Sequence, residues 1–179
     1  MLRKILSGIA LSWIIIFGAI ESRAYTPEKV VNMTSFSDRL SVQYGKMERS
    51  TAEGVTYTYR YSTLPNKYII KLPRKDFKLN EQTFWHEFFH TLCNEYDVNL
   101  THYKAFVHGH ESVTENGDWH NKASEAFAED GACYMMKKLY NIDITNDTNY
   151  EYAHRRFSWY IKRSGEMGDL LGKIIEEIR

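Results

Sequence analysis

The chain has 179 residues, of which 43% are hydrophobic, and its 23 basic and 23 acidic residues give a formal net charge of zero. This balance, with no basic stripe that carries interleaved aromatic residues, argues against a nucleic acid as partner. Removing the first 24 residues from 179 leaves 155, which is the length of one domain and is enough to bury a hydrophobic core.

The first 24 residues have the pattern of a secretory signal peptide. Residues 1–4 are basic in character, residues 5–20 form an apolar run, and Ser22 and Ala24 place small side chains at the third and first positions before a cut. We predict cleavage after Ala24, a secreted protein without stable membrane association, and a single domain at residues 25–179. The alternative is a retained membrane anchor, but about 16 apolar residues are short for a membrane span.

The N-terminal third of this domain predicts one short helix and then two strands. Residues 35–44 show a helical pattern. Residues 55–61 and 67–72 are rich in β-branched and aromatic side chains, and a turn with proline and asparagine separates them. Two such runs around a turn predict a β-hairpin.

Residues 80–97 predict an uninterrupted helix that carries His86, Glu87 and His90, with Asn80 as its N-cap. Two histidines four residues apart lie on one side of a helix, so they can bind one metal ion. The glutamate between them can reach a water on that ion. This HExxH pattern is typical of zinc hydrolases.

A catalytic zinc site needs a third protein ligand, and a second predicted helix offers one. Residues 121–136 favour a helix that carries Glu125, with small side chains where another helix would pack closely. If the helices are antiparallel with His90 opposite Glu125, then Glu129, one turn further on, lies opposite His86 and can accept a hydrogen bond from its outer ring nitrogen. The alternative for both glutamates is a solvated acidic face.

These two segments together resemble a known family. HExxH at residues 86–90, a spacer of a few tens of residues and then an E-x-x-x-E helix form the gluzincin arrangement. Residues 124–129, Ser-Glu-Ala-Phe-Ala-Glu, resemble the E-x-F-A-E helix of the anthrax lethal factor catalytic domain and of related secreted Pro-Pro endopeptidases. The resemblance covers about residues 80–136 and says little about the N-terminal third.

The resemblance implies an α+β fold of the zincin-like metallopeptidase type, with a small sheet, an active-site helix and a mostly helical C-terminal half. It implies one Zn²⁺ per chain bound by His86, His90 and Glu125, with Glu87 as general base and Glu129 behind a ligand histidine. We therefore expect a secreted zinc-dependent endopeptidase, a monomer that acts on a peptide or protein substrate.

One position departs from the family. A tyrosine that hydrogen-bonds the oxyanion usually lies seven residues before the ligand glutamate, but Asp118 occupies that position here. We predict that His120 serves as the catalytic donor instead; the alternatives are that Tyr103 supplies it from elsewhere, or that this assistance is weak. The departure supports a second hypothesis, a secreted zinc-containing binding or inhibitory protein without turnover. A third hypothesis is a cytosolic HExxH regulator that cleaves repressors, but the predicted signal peptide argues against a cytosolic protein.

Two segments are predicted to contact the substrate. A sheet edge beside the metal can bind an extended peptide as an additional strand, and residues 67–72 are the preferred candidate because they lead directly to the helix with the histidines. The alternative is that these residues form an internal strand. Residues 97–121 are long, polar and rich in histidine, so we expect a loop at the rim of the site.

The two cysteines test the predicted architecture. On antiparallel helices, Cys93 and Cys133 would be displaced by 11 residues along the pair, about 16 Å, which is too far for a disulfide. We therefore predict free thiols. After residue 136, helical patterns at residues 150–163 and 167–178 predict two more helices that pack behind the site.

Overall fold

Six helices and three strands form a mixed α+β arrangement in the part of the chain that the structure, a computed structural model, describes. The described residues are 25–47, 54–73, 77–107, 123–142 and 150–179, so the predicted signal peptide lies outside them. None of the described helices is long and apolar enough to cross a membrane. In chain order the elements are α1 (Pro27–Asn32), β1 (Leu40–Tyr44), β2 (Val55–Tyr59), β3 (Lys67–Leu72), α2 (Phe77–Glu95), α3 (Leu100–Val107), α4 (Ala123–Tyr140), α5 (Tyr150–Lys162) and α6 (Glu166–Ile178).

The three strands form one sheet in the order β1-β3-β2. β2 pairs antiparallel with β3, with Thr56 opposite Ile70, which confirms the predicted hairpin. β1 pairs parallel with β3 on its other side, with Leu40 opposite Tyr68. Tyr68, Ile70 and Leu72 alternate along β3 and are fully buried, so this face of the sheet contributes to the core.

Two predictions about the strands are wrong. The helix predicted at residues 35–44 is a turn followed by β1, because alternating Leu40, Val42 and Tyr44 pack on the core and their main chain pairs with β3. Residues 67–72 form the central strand, whose main chain has a neighbouring strand on each side. Among the described strands, β1 and β2 are the edges of the sheet, and β2 is the edge strand that contacts α2, so a peptide beside the histidines would pair with β2.

The core lies where α2 packs against α4 and against the sheet. The apolar residues predicted for α2 are all buried in it. A helix that is apolar on the sides facing both a sheet and another helix gains most of its stability from this packing and little from its local propensity. The buried residues of α2 include Phe84, Trp85, Phe88, Phe89 and Leu92.

The helix ends differ from the predicted bounds by a few residues. α2 begins at Phe77, so Asn80 lies inside its first turn and is not the N-cap. Beyond α2 and α4, Asp97 and Asn141 have φ values of 45° and 58°, the left-handed conformation that commonly ends a helix. The two predicted C-terminal helices are confirmed as α5 and α6.

A close approach between α2 and α4 occurs at Gly131. A Cβ atom at this position would lie 2.2 Å from Cγ of Phe89, far inside van der Waals contact. Phe89 is fully buried, and its ring centroid lies 5.7 Å from that of Phe127 and 5.9 Å from that of Phe157. Because the ring is enclosed in this way, only a residue without a side chain allows the helices to approach here.

We expect Gly131→Ala to destabilise the protein by about 1–3 kcal/mol, because the new methyl group overpacks the core against Phe89. Gly172→Ala is the matched control, since Gly172 lies within α6 and the position of its Cβ atom is surrounded by open space. That substitution should stabilise the protein by roughly 0.5–1 kcal/mol through helix propensity. Urea unfolding measures both changes, and equal effects of the two substitutions would contradict the packing described here.

A buried hydrogen-bond network around Tyr25 connects the first turns of α2 to the end of α4. The Tyr25 hydroxyl donates to the Glu81 carboxylate, and it accepts from Trp85 Nε1 at 3.2 Å and from the Tyr140 hydroxyl at 2.7 Å. Burial, followed by the charge of Glu81, raises the pKa of Tyr25, which keeps this phenol protonated as a donor. The network fixes one end of the helix pair.

The other end of α2 is fixed by Glu95. Arg39 donates to both oxygens of the Glu95 carboxylate, at 3.0 and 2.5 Å, and to the main-chain oxygen of Asn66 at 2.7 Å. The Tyr68 hydroxyl donates to Glu95 Oε2 at 2.9 Å. This bidentate pair therefore ties the last turn of α2 to the sheet and to the turn before β3.

Candidate metal centre

α2 and α4 bring the predicted site residues together. His90 Nε2 lies 3.2 Å from Glu125 Oε2, and His86 Nδ1 lies 3.2 Å from Glu129 Oε2. The later residue of α2 faces the earlier residue of α4, so the helices are antiparallel with the predicted pairing. Because four residues are about one helical turn, both members of each pair lie on the facing sides of the two helices.

Three side-chain atoms face one another and are called the donor triangle here: His86 Nε2, His90 Nε2 and Glu125 Oε2. The two nitrogens are 3.2 Å apart, and the carboxylate oxygen lies 3.3 Å from His86 Nε2 and 3.2 Å from His90 Nε2. In a tetrahedral site with bonds of about 2.0–2.1 Å, two ligand atoms lie about 3.3 Å apart. The donor triangle therefore fits a metal ion that contacts all three atoms.

The donor triangle is partly open to solvent and lies in an acidic environment. The side chains of His86, His90 and Glu125 are 15%, 17% and 24% exposed. Burial lowers the pKa of His86, but its hydrogen bond to Glu129 and the charges of Glu87, Glu129 and Glu125 outweigh this effect, so the pKa is raised overall. The same carboxylates favour a cation at the donor triangle.

Glu129 contacts the side of the His86 ring opposite the donor triangle. Because Nε2 belongs to the donor triangle, Nδ1 is the nitrogen whose N–H donates to Glu129 Oε2. A carboxylate in this position selects the tautomer, fixes the plane of the ring and makes Nε2 a stronger base. Glu129 is thus placed to orient His86 for an ion at the donor triangle without belonging to the triangle itself.

Glu129→Gln is expected to keep the fold and to weaken binding of the predicted zinc ion by roughly 10- to 100-fold, because the His86 imidazole loses its negative partner. The effect should fall toward the lower end of this range, since the Glu129 side chain is 46% exposed. Glu177→Gln, the same chemical change on the exposed side of α6, is the control. Competition titration with a chromophoric chelator measures the affinity for zinc. An unchanged affinity in Glu129→Gln would favour the alternative interpretation, in which Glu129 is only part of a solvated acidic face.

Glu87, the residue next to His86 in the motif, is turned toward β2. Its side chain is buried, and its Oε2 accepts a hydrogen bond from Thr56 Oγ1 at 2.7 Å. The sequence-based prediction missed Thr56. The available signal is that Thr56 and Thr58 alternate with tyrosines in β2, so one face of this strand carries hydroxyl groups.

The predicted oxyanion donor His120 and the neighbouring Asp118 lie outside the described residues. The alternative donor Tyr103 is fully buried, and its hydroxyl donates to Asp130 Oδ2. Burial, followed by the charge of Asp130, raises the pKa of Tyr103 well above its usual value. A phenol that is enclosed and already paired cannot reach a substrate, so the structure argues against Tyr103 in this role.

Tyr103 lies on α3, which occupies part of the segment predicted as a loop. The prediction of a loop over residues 97–121 is therefore wrong for this part. Asn99 Oδ1 accepts a hydrogen bond from the main-chain N–H of His102 at 2.9 Å, as an N-cap does. Tyr103 and Val107 then follow at helical spacing and are fully buried. The N-cap residue Asn99 and the helical spacing of Tyr103 and Val107 are both visible in the sequence and could have predicted this helix.

Cys93 and Cys133 are buried free thiols, as the antiparallel pairing predicts. Burial, followed by the charge of Asp97, raises the pKa of Cys93 to about 11, so this thiol stays protonated and unreactive near neutral pH. Cys133 Sγ lies 3.9 Å from Glu129 Oε1, on the face of α4 that supports the donor triangle.

No family model, curated protein or solved structure matches the chain. The geometry of α2 and α4 and the chemistry of their side chains are therefore the basis for a functional proposal.

Proposed function

We propose that the protein is a secreted zinc-dependent endopeptidase of the zincin-like type. The observation that carries the proposal is the donor triangle, in which two imidazole nitrogens and one carboxylate oxygen lie 3.2–3.3 Å apart, with Glu87 beside them in the motif. Secretion after cleavage at Ala24 and the monomeric state are part of the proposal. The pattern of residues 1–24 supports secretion, and the length of the remaining chain supports a single domain.

Zinc is the metal that suits these donors best. Imidazole and carboxylate ligands with tetrahedral spacing are typical of catalytic zinc, which uses three protein ligands and leaves one position open. A bound zinc ion supplies a Lewis acid that activates water and polarises a carbonyl group.

The residues of the chain then have separate tasks. His86, His90 and Glu125 hold the ion in an acidic environment, and Glu129 fixes the ring of His86. The Glu87 carboxylate takes one proton from the attacking water and later gives it to the leaving amine nitrogen. The water oxygen forms a bond to the carbonyl carbon, the C–N bond breaks, and the products are a carboxylic acid and an amine. His120 remains the proposed donor to the oxyanion.

The structure favours β2 as the strand that binds the substrate. β2 lies alongside α2 through the contact of Thr56 with Glu87 and through the hydrogen bond from Arg60 to Asn94 Oδ1 at 3.1 Å. Among the described strands, β2 has one neighbour, β3, so its other edge can pair with an extended peptide. Such pairing uses main-chain groups and places the peptide beside the general base.

The proposal is tested by measuring zinc per chain together with cleavage of a diverse peptide library, detected by mass spectrometry. We expect one zinc ion per chain and cleavage that stops when a chelator is added and returns with zinc. A protein that binds zinc and cleaves no peptide would instead favour the binding or inhibitory protein, which Asp118 at the position of the family's tyrosine supports.

A further inference from the structure

Two small residues, one in β2 and one directly before it, contact α2 at Glu87. Thr56 Oγ1 lies 2.7 Å from Glu87 Oε2 and 2.8 Å from the main-chain oxygen of Glu87. Directly before β2, Gly54 lies so close that a Cβ atom there would be 3.0 Å from Glu87 Cγ and 3.1 Å from its Oε1. Thr56 and Gly54 therefore both pack against the side chain of Glu87, which is only 7% exposed.

The Thr56 hydroxyl has one proton and two oxygens within reach. The main-chain oxygen of Glu87 already accepts a hydrogen bond from Thr91 Oγ1 at 3.3 Å. The carboxylate oxygen Oε2 is the stronger acceptor, and it lies closer to Thr56 Oγ1, at 2.7 Å against 2.8 Å for the main-chain oxygen. The Thr56 hydroxyl therefore donates its hydrogen bond to Glu87 Oε2. This bond fixes Oε2 of the carboxylate.

We propose that Thr56 is a positioning residue that holds the Glu87 carboxylate in the orientation needed for proton transfer, an inference that rests on the proposed function. A glutamate on a helix has three side-chain torsions, and a general base must come within about 2.6–3.2 Å of the proton that it takes. The hydrogen bond from β2 removes the freedom of the last torsions. Because the edge of β2 is also the proposed peptide-binding edge, one strand positions both the base and the substrate.

The role of Thr56 predicts a specific kinetic pattern. Thr56→Val keeps the shape and the β-branch of the side chain but lacks the hydroxyl, so we expect kcat to fall by about 10- to 100-fold because the base is misplaced. KM and the zinc content should stay within about twofold of wild type, since neither peptide pairing nor the donor triangle involves the hydroxyl. Thr56→Ser restores a donor and should recover most of kcat.

Thr101→Val is the matched control, because it makes the same chemical change at a threonine outside the proposed site. Thr101 is exposed on α3 and belongs neither to β2 nor to the donor triangle. Its substitution should leave kcat and KM unchanged. Wild-type kcat in Thr56→Val, or equal losses in Thr56→Val and Thr101→Val, would overturn the proposal, because the hydroxyl of Thr56 would then have no specific role.

The position of the carboxylate can also be measured without turnover. In crystal structures of the zinc-loaded wild type and Thr56→Val proteins, we expect the Glu87 carboxylate to be displaced or to occupy several rotamers only in the variant. An identical, well-ordered carboxylate in both structures would overturn the inference. A wild-type protein without peptidase activity would refute the proposed function, and this structural comparison would still decide the role of Thr56.

Discussion

Replacing Glu87 with glutamine is expected to leave zinc binding and folding intact and to lower kcat for peptide hydrolysis by about 10³-fold. The amide matches the carboxylate in size and can still accept the hydrogen bond from Thr56, but it cannot take a proton from the attacking water. Because peptide binding depends on other groups, KM should change little. Steady-state kinetics with a fluorogenic peptide, together with the zinc content of the same sample, measures both effects.

Glu176→Gln is the control for this experiment, since Glu176 is an exposed glutamate on α6, remote in sequence from the motif. It should retain wild-type activity. If Glu87→Gln cleaved peptides at the wild-type rate, Glu87 would not be the general base, and the proposed mechanism would be wrong even if zinc binding were confirmed.

The second large effect concerns the donor triangle. His86→Ala, His90→Ala and Glu125→Ala should each lose bound zinc, because two remaining donors do not hold the ion against competing water. Zinc that binds the folded state only, at about 1,000 times its Kd, adds about 4 kcal/mol to the free energy of unfolding. A chelator should therefore lower the Tm of the wild type and leave the Tm of the three variants nearly unchanged.

His102→Ala is a suitable control for the histidine variants, because His102 is exposed on α3 and does not belong to the donor triangle. Its zinc content and its response to chelator should equal those of the wild type. Full zinc occupancy in Glu125→Ala together with loss of zinc in Glu129→Ala would show that the third ligand has been assigned to the wrong glutamate.

The spacing within each helix could be predicted from the sequence because it follows from helix geometry. His86 and His90 lie on one side of α2, and Glu125 and Glu129 on one side of α4, whatever the rest of the chain does. Their pairing across the helices was predicted on two assumptions, that the helices are antiparallel and that His90 lies opposite Glu125. The contacts of His90 with Glu125 and of His86 with Glu129 confirm both assumptions.

Features that depend on partners distant in the sequence could not be predicted in this way. Residues 40–44 form strand β1 because their main chain pairs in parallel with β3. The same pairing makes β3 the central strand of the sheet instead of an edge strand. The hydrogen bond between Thr56 and Glu87 spans 31 residues. The alternation of threonine and tyrosine in β2 predicts a face with hydroxyl groups but does not identify Glu87 as the partner. Helix α3 is different, because Asn99 and the helical spacing that follows could have indicated it.

The Tyr25 network and the donor triangle act at different places along the same helix pair. Glu125 lies in the first turn of α4, whereas Tyr140, which donates to Tyr25, is its last residue. The hydrogen bond from Tyr140 and the buried contact between Phe127 and Phe89 do not depend on an ion, so they hold the two helices together from the end of α4 back to Phe127. We therefore expect that removal of an ion loosens only the residues of α4 before Phe127, next to the donor triangle, while the core of the helix pair remains folded.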